Sequence, residues 1–376
     1  MSSTVNIVEQ LKDLLDSNKS LCRRLQQRLQ HCAQDNPDPL TNPVHSLDDL
    51  YCRLERFLTS MPWGEFESKV ESRKSKEQGL FRRIDQATGY IYYLFGDLQY
   101  EPAIADWIKQ YNALWGEFLN SSESWNNDYY EMLKSDPLFE LDTDKYESPD
   151  HWHSWNDFFS RSLENLDYLE SLENLERLEN LEHLPPLAAP AEGRFFGWTK
   201  ISEDSTLPCT EPIKTATVFD IKALLGNSSY RNSFADGRFG HITLDIYNYH
   251  RFHSPCEGTI VDIQEIDGQL SAGGKIIWDK AEHRYRYEQA DNIGYQMIEK
   301  RVVIVIESGT QASTPAIEQG TRNKEKGRLI AIIPVGVAQV GSIKLNEDII
   351  IGAEVRKHQE LGCFLCGGSD IIILTN

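Results

Sequence analysis

The chain changes character once along its length, and this change limits the fold more than any other feature. Residues 1–135 carry apolar side chains at intervals of three and four, which is the spacing of amphipathic helices. After the break LPPLAAPAEG at residues 184–193, short β-branched runs alternate with Gly, Pro and Asn. Because a run of helices precedes a run of strands, the sequence predicts an α+β fold.

Three segments of the first part carry the helical pattern. The segment at 6–29 places six apolar residues near one helix face, and Ser46 is expected to cap the helix that begins at SLDDLYCRL. A third segment at residues 104–121 is rich in aromatic residues, which we expect to form core. The apolar positions are Ile7, Leu11, Leu14, Leu15, Leu21 and Leu25 in the first segment, and Trp107, Tyr111, Trp115 and Phe118 in the third.

Between the two parts, residues 164–184 repeat Leu and Glu at intervals of three and four. This composition is typical of a solvated acidic helix or an inserted linker. We therefore predict three regions: a helical domain at 1–150, a short leading segment with the Leu/Glu-rich linker helix at 151–185, and a β-rich domain at 186–376. Within the β-rich domain, only DIKALLG is expected to be helical.

Charge and cysteine content narrow the class of protein. Lys and Arg number 38 against 58 Asp and Glu, which gives a net charge of −20. Nucleic-acid binding and docking on anionic lipid both favour clustered basic residues, so neither is expected.

The N-terminus lacks the basic and apolar blocks of a signal peptide, and no apolar run is long enough to span a bilayer. Seven cysteines without a disulfide-like framework favour reduced thiols, so a soluble, cytoplasmic protein is expected.

Two histidines at the end of a predicted strand carry possible chemistry. His250 and His253 lie in YNYHRFHSPCEGTI, followed by a turn. They could be metal ligands, acid–base groups, or hydrogen-bonded residues that finish a strand. No acidic or Cys partner stands at metal spacing nearby, and Cys363 and Cys366 form a C-x-x-C without a second pair. We therefore predict no metal site, and no lysine-centred motif indicates pyridoxal phosphate.

A glycine pair followed by a serine interrupts the last apolar run of the chain. Gly367, Gly368 and Ser369 precede DIIIL, and we place them at the end of the last strand. Glycine inside a strand weakens it and often marks a close approach of backbone. The other Gly-Ser pair, Gly341–Ser342, is expected to lie mid-strand within VGSI as a structural or pocket element.

Five blocks in this order carry a family resemblance. They are WNDFFSRSL (155–163), PAEG (190–193), YHRFHSPCEGTI (249–260), VGVAQVGSI (335–343) and GCFLCGGSD (362–370). Together they resemble the phosphatidylserine decarboxylase family, whose members cleave themselves and carry a pyruvoyl group. The layout, with a helical first half, is similar to the soluble amino-acid (tryptophan-type) decarboxylase branch of that family.

The resemblance implies self-cleavage between Gly368 and Ser369, which yields a β chain of residues 1–368 and an α peptide of residues 369–376. Ser369 then becomes the pyruvoyl group. By matched position, His253 is the base that accepts the Ser369 proton. Glu192 stands where the family has Asp and would orient His253, and either His250 or His253 would protonate the product carbanion.

Further residues near these blocks are expected to line the substrate pocket: Tyr249, Cys256, Gly341, Ser342 and Gly367. Asp370 departs from the Thr or Ser that the family has after the cleavage serine, and its carboxylate is expected to slow processing. All the matched blocks lie beyond residue 150, so the helical part is expected to affect substrate preference more than processing.

Three functions remain open from the sequence. The first is decarboxylation of a free L-amino acid, preferably an aromatic one such as tryptophan, through a Schiff base to the pyruvoyl group. The second is decarboxylation of phosphatidylserine to phosphatidylethanolamine in phospholipid biosynthesis, with the protein at the membrane periphery. The third is an unprocessed, non-enzymatic β-rich scaffold that binds a partner. A homodimer is compatible with each.

Overall fold

A computed structural model of the protein describes residues 6–62, 89–165, 168, 187–213, 216–288, 294–309, 327–339 and 341–376. It confirms the predicted α+β class, with helices in the first half and antiparallel strands in the second. The helices are α1 (Ile7–Ser17), α2 (Lys19–Asp35), α3 (Leu47–Phe57), α4 (Pro102–Leu119), α5 (Asn127–Lys134), α6 (Trp155–Phe159) and α7 (Ile221–Leu224). Residues 89–95 are also helical and continue into a 3-10 turn at Gly96–Tyr100.

Side-chain caps explain where the first helices begin. The apolar pattern at 6–29 runs through two helices because Asn18 leaves the helical conformation and accepts a hydrogen bond from the Leu21 amide, which starts α2. Ser46 caps α3, as predicted, by accepting from the Asp49 amide. The short α7 lies within DIKALLG, and Asp220 caps it by accepting from the Lys222 amide.

The aromatic face of α4 is core, as the sequence indicates. Trp107, Tyr111 and Trp115 are buried. Their polar atoms donate to backbone carbonyls of other segments, at Ile7, Leu54 and Ser60. Buried tyrosine and tryptophan need such partners, so these three side chains are fully used in holding the helices together.

Fourteen strands are described in the second half. They are β1 (Arg194–Lys200), β2 (Thr206–Ile213), β3 (Ala216–Asp220), β4 (Arg238–Leu244), β5 (Arg251–His253), β6 (Gly258–Ile266), β7 (Lys275–Asp279), β8 (Arg284–Glu288), β9 (Arg301–Ser308), β10 (Arg328–Val337), β11 (Ile343–Leu345), β12 (Glu354–Val355), β13 (Glu360–Phe364) and β14 (Gly368–Thr375). Seven of them form an antiparallel sheet in the order β1-β4-β14-β10-β9-β6-β12. A smaller sheet has the order β11-β13-β5, and β2-β3 and β7-β8 are hairpins.

The last strand of the chain is a central strand of the large sheet. β14 lies between β4 and β10, and nearly every residue of β9, β10 and β14 is buried. Continuous apolar runs are typical of strands covered on both faces. The Ile and Leu side chains after Asp370 are therefore deep core.

Two sequence-based placements are wrong. Gly367 lies in a bend, and Gly368 and Ser369 are the first two residues of β14, so the three residues do not stand at the end of a strand. Gly341–Ser342 lies between β10 and β11 and not mid-strand, because β10 ends at Val337 and Gly341 has a φ of 49°. A positive φ of this size does not fit a continuous strand.

The buried side chains of the helical and β-rich parts join one hydrophobic core. The boundaries at 150 and 185 stay predictions. The Leu/Glu-rich segment predicted as an acidic helix lies almost wholly outside the described residues. Among the described helices, none combines the length and apolarity needed to cross a membrane.

Candidate active site

The serine after the glycine pair is buried and has a free hydroxyl. Ser369 is 2% exposed, and its Oγ has no hydrogen-bond partner among the described residues. Across the sheet it faces Gly336 of β10 on one side and Leu244 of β4 on the other. Buried polar groups are normally hydrogen-bonded, so this unpaired hydroxyl marks a candidate reactive group.

The two glycines before it are required by close contacts. A Cβ at Gly367, whose φ is 152°, would stand 2.8 Å from both the Ala338 oxygen and the Gly341 nitrogen. A Cβ at Gly368 would stand 2.8 Å from the Val337 oxygen. Side chains are not tolerated at such distances, so the backbone on the amino side of Ser369 packs directly on the turn after β10.

Asp370 belongs to a different cluster from Ser369. Side chains alternate across a strand, so its carboxylate points to the opposite face of β14. There it accepts hydrogen bonds from Thr243 at 2.9 Å, from Gln296 at 3.2 Å and from the Tyr295 hydroxyl, and it lies 3.1 Å from His241 Nε2. Burial acts to raise the pKa of Asp370, but His241 and the hydroxyl donors outweigh it, so the pKa lies below its usual value.

His250 is a neutral histidine with one free nitrogen. Its Nδ1 lies 2.9 Å from the Asn248 carbonyl oxygen, so Nδ1 carries the proton. Its Nε2 is buried and has no hydrogen-bond partner within the described part of the chain. Complete burial, together with the nearby Arg161 charge, lowers the pKa of His250 to about 3. The imidazole therefore presents an unengaged lone pair at neutral pH.

His253 is also buried and neutral, but both of its nitrogens are engaged. Nδ1 lies 3.0 Å from the His358 carbonyl oxygen and must donate to it, so Nε2 accepts from the Tyr249 hydroxyl at 3.0 Å. Burial lowers the pKa of His253 to about 4. For His253 to take a proton from Ser369, its Nε2 has to exchange the Tyr249 hydroxyl for the serine hydroxyl.

Glu192 has other partners than the one expected. Its carboxylate accepts from Lys145 Nζ at 3.0 Å, from the Tyr249 amide at 2.9 Å and from Asn248 Nδ2 at 3.3 Å, and no hydrogen bond joins it to His253. Burial opposes the Lys145 charge, but the neighbouring carboxylates and tyrosines keep the pKa of Lys145 above its usual value. Glu192 thus fixes the backbone that leads into His250.

A short helix that the sequence did not assign to the site links His250 to the cleavage segment. In α6, Asn156 Oδ1 accepts from the Cys366 amide at 3.0 Å, and the Phe159 ring stacks on His250 with centroids 3.9 Å apart. Residues three apart share a helix face, so one face of α6 contacts both the segment that contains Cys366 and the His250 ring. The sequence feature that could have predicted this role of α6 is the presence of two polar residues, Asn156 and Arg161, within the aromatic run WNDFFSRSL.

Arg161 is the second of these polar residues, and it is fully buried. Its Nη2 donates to the carbonyl oxygens of Tyr247 at 2.7 Å and Asn248 at 3.1 Å. The guanidinium also lies over the Tyr146 ring, 4.2 Å from its centroid. Arg161 therefore holds the same backbone stretch that Glu192 holds.

The remaining predicted pocket residues divide into two groups. Gly341, Ser342 and Gly367 come together: the Gly341 amide donates to the Cys366 oxygen, and the Leu365 amide donates to the Ser342 oxygen. Cys256 is elsewhere.

Cys256 lies in the turn after β5, and its thiol neighbours Ser308 and Arg328, at the far end of β10 from Gly336. At the rise of a β-strand, the stretch of β10 from Arg328, beside Cys256, to Gly336, beside Ser369, is about 26 Å long. The expectation that Cys256 lines a pocket at Ser369 is therefore wrong, because the strand carries the two residues to opposite ends of the sheet. Within the described ranges, no group of three or more His, Cys, Asp or Glu could hold a metal ion.

The fold and the site together define an α+β protein that has a buried, unpaired serine hydroxyl behind an obligatory glycine pair and two buried, neutral histidines in its β-rich part. Residues 155–376 match the family model described as phosphatidylserine decarboxylase. This match covers more than half of the chain, and the chain belongs to that family.

Relatives from three groups of organisms agree with the family. The chain is 31% identical over 188 residues to phosphatidylserine decarboxylase proenzyme 3 of Schizosaccharomyces pombe, covering 50% of this chain and 16% of the relative. It is 25% identical over 240 residues to the phosphatidylserine decarboxylase proenzyme of Fusobacterium nucleatum, covering 62% and 64%. It is 25% identical over 276 residues to proenzyme 2 of Oryza sativa, covering 72% and 37%. The chain thus spans less than two thirds of each of these relatives.

Proposed function

We propose that the chain is a self-processing, pyruvoyl-dependent decarboxylase that acts on phosphatidylserine. The observation that carries the proposal is the buried, unpaired Ser369 hydroxyl behind Gly367 and Gly368, inside the region that matches the family. The relatives bear the name proenzyme, which supports a precursor that is cleaved.

Self-cleavage proceeds through the chain's own groups. Ser369 Oγ attacks the Gly368 carbonyl carbon, the Gly368–Ser369 amide bond breaks, and an ester and a free amine form. Loss of the Cα proton and of the Gly368 carboxylate then breaks the Cβ–Oγ bond and leaves a dehydroalanine. Its hydrolysis releases ammonia and leaves a pyruvoyl group on residue 369. Much of the rate of self-cleavage comes from holding Ser369 Oγ against the Gly368 carbonyl, which has no side chain beside it.

The residues at this position fit such a group. The pyruvoyl carbonyl supplies an electron sink for the charge left when carbon dioxide departs. After cleavage, β14 would remain paired with β4 and β10 on both sides, with its four consecutive Ile and Leu side chains in the core. The α peptide of residues 369–376 is therefore held in place without a covalent link, with residue 369 fixed at the start of the strand.

The two histidines are proposed for different steps. His253, by its matched position in the family block, is the base for Ser369, and Tyr249 holds its Nε2 until the serine proton is transferred. His250 has an unengaged Nε2 and is proposed for proton transfer in the decarboxylation step. Glu192 and Arg161 position the backbone at residues 247–249, on which both rings depend.

This proposal ranks phosphatidylserine above a free aromatic amino acid, whereas the sequence analysis ranked the amino acid first. The relatives are all named for phosphatidylserine. Trp107 and Trp115, two aromatic side chains of the helical part that could have contacted an aromatic substrate, are buried and donate to carbonyls within that part. A free aromatic amino acid therefore has less support than the lipid. Six of the seven cysteines, Cys22, Cys32, Cys52, Cys256, Cys363 and Cys366, are free thiols in the part of the chain whose side chains the structure describes, which supports a cytoplasmic location.

The test combines intact mass with a substrate comparison. Purified full-length protein is analysed by denaturing mass spectrometry and assayed for carbon dioxide from phosphatidylserine in mixed micelles, tryptophan, phenylalanine and tyrosine. Ser369→Ala should stay at full length and be inactive, whereas the exposed control Ser135→Ala should mature and turn over as wild type does. An active preparation of uncleaved mass would overturn the pyruvoyl mechanism. Turnover of an aromatic amino acid without turnover of the lipid would overturn only the substrate.

A further inference from the structure

We infer that Tyr92, in the helical half, is a positioning residue for self-cleavage and acts through the turn that follows β10. The inference rests on the cleavage at Gly368–Ser369 proposed above. It also changes the expected role of the helical half, because residues before the family blocks then take part in processing.

The turn is held in a conformation that its sequence does not favour. Ala338, Gln339 and Gly341 have φ values of 54°, 48° and 49°. Glycine adopts such values readily, but Ala and Gln do so only at a cost. Strained residues of this kind persist where surrounding contacts fix them.

Each of these three backbone amides has its own acceptor from a different part of the molecule. The Ala338 amide donates to the Ser271 carbonyl oxygen at 2.7 Å, and the Gly341 amide donates to the Cys366 carbonyl oxygen at 3.1 Å. The Gln339 amide donates to the Tyr92 hydroxyl at 2.6 Å. The helical half thus supplies one of the three bonds that hold the turn.

This turn is the surface on which the glycine pair rests. The Ala338 oxygen and the Gly341 nitrogen are the atoms that a Cβ at Gly367 would meet, and the Cys366 oxygen is bonded to the same turn. A change in the turn is therefore transmitted directly to the residues that place the Gly368 carbonyl against Ser369. Misplacement of reacting groups by about 1 Å can cost 10²-fold in rate.

The Tyr92 hydroxyl is itself fixed on three sides. It donates to the Leu270 carbonyl oxygen at 3.2 Å and accepts from Asn112 of α4 at 3.3 Å as well as from Gln339. Burial raises the pKa of Tyr92 above its usual value, so the hydroxyl keeps its proton. Gln99 adds a second link, because its Oε1 accepts from the Ala272 amide at 2.7 Å, beside the Ser271 that holds Ala338.

The neighbouring residue provides a matched control. Tyr93 is equally buried, but its hydroxyl lies 3.4 Å from the Cys32 oxygen and 3.2 Å from Asp35, both in α2. Tyr92→Phe removes the acceptor of the Gln339 amide and the donor to Leu270. Tyr93→Phe removes a hydroxyl from the helical half without touching the turn. Both changes delete one oxygen atom at adjacent buried positions.

The experiment follows maturation of freshly made full-length protein. Wild type, Tyr92→Phe, Tyr93→Phe and Gln99→Leu are made by cell-free synthesis, translation is stopped, and the folded fraction is sampled by intact mass over time. Circular dichroism melts verify that each variant is folded at the assay temperature. We expect Tyr92→Phe to mature at least tenfold more slowly than Tyr93→Phe, and Gln99→Leu at least threefold more slowly. Decarboxylation per matured chain should change less than threefold.

The outcomes separate this inference from the proposed function. If wild type itself never matures, the proposed self-cleavage fails. If wild type matures and both tyrosine variants match its rate, the inference is overturned. A purely structural role predicts lower melting temperatures in both variants with unchanged maturation of the folded fraction, which also overturns it. Should Tyr92→Phe not fold, a wild-type rate for Gln99→Leu decides against the inference.

Discussion

Replacement of Asp370 tests whether this residue stabilises the sheet or restrains the reaction. Its carboxylate receives hydrogen bonds from Thr243, Tyr295 and Gln296 and faces His241. In Asp370→Asn, the amide oxygen can keep the Tyr295 and Gln296 donors while its nitrogen donates to the Thr243 hydroxyl. Only the charge is then lost, at a cost of about 1–3 kcal/mol. In Asp370→Ala the donors are left unpaired in a buried site, which costs about 3–5 kcal/mol.

The same cluster predicts a pH dependence of the free energy of unfolding. The pKa of Asp370 is lower in the folded protein than its usual value, so unfolded chains take up its proton first as the pH falls. Its stabilising contribution is therefore present at neutral pH. It is lost progressively as the pH falls from about 4, the ordinary pKa of Asp, through the lower folded value. Asp370→Asn lacks this component of the acid destabilisation.

Urea unfolding provides the measurement. The variants are compared in the uncleaved Ser369→Ala background, so that a single chain unfolds, and Asp236→Asn serves as the control at an exposed ion pair with Lys200. That control should change the free energy of unfolding by less than about 0.5 kcal/mol. In the Ser369 background, Asp370→Asn should mature within threefold of wild type. Equal losses for Asn and Ala, or maturation accelerated tenfold by Asn, would refute the assignment of Asp370 to the opposite face.

Three further predictions concern the site. His253→Ala should slow maturation by 10²-fold or more, whereas His250→Ala should mature and lose turnover. Normal maturation of His253→Ala with arrest of His250→Ala would make the free Nε2 of His250 the base. Wild-type maturation should fall as the pH drops through about 4, where His253 gains its proton, and a rate that is flat to pH 3 would exclude this base. Glu192→Gln keeps an acceptor for the Tyr249 amide and should slow maturation only about threefold, so complete arrest would show that the carboxylate is required.

Local sequence patterns determined the elements and the reactive position. Helical spacing and the cap at Ser46 gave α3, and β-branched runs gave β6 and β9, whose bounds match GTIVDIQEI and RVVIVIES. The glycine pair before Ser369 indicated a close approach of backbone, which the contacts at Gly367 and Gly368 bear out. These features are encoded within a few residues, because backbone conformation and side-chain spacing are local properties.

Only the tertiary structure decided which residues surround that position. The place of β14 between β4 and β10, the bonds of Glu192 to Lys145 and the separation of Cys256 from Ser369 depend on strand order and register. The bond between Tyr92 and Gln339 joins positions 247 residues apart. No local pattern encodes such a pairing. The helical spacing of the first half and the strand pattern of the second half are each explained without it, and the bond forms only when the two halves pack together.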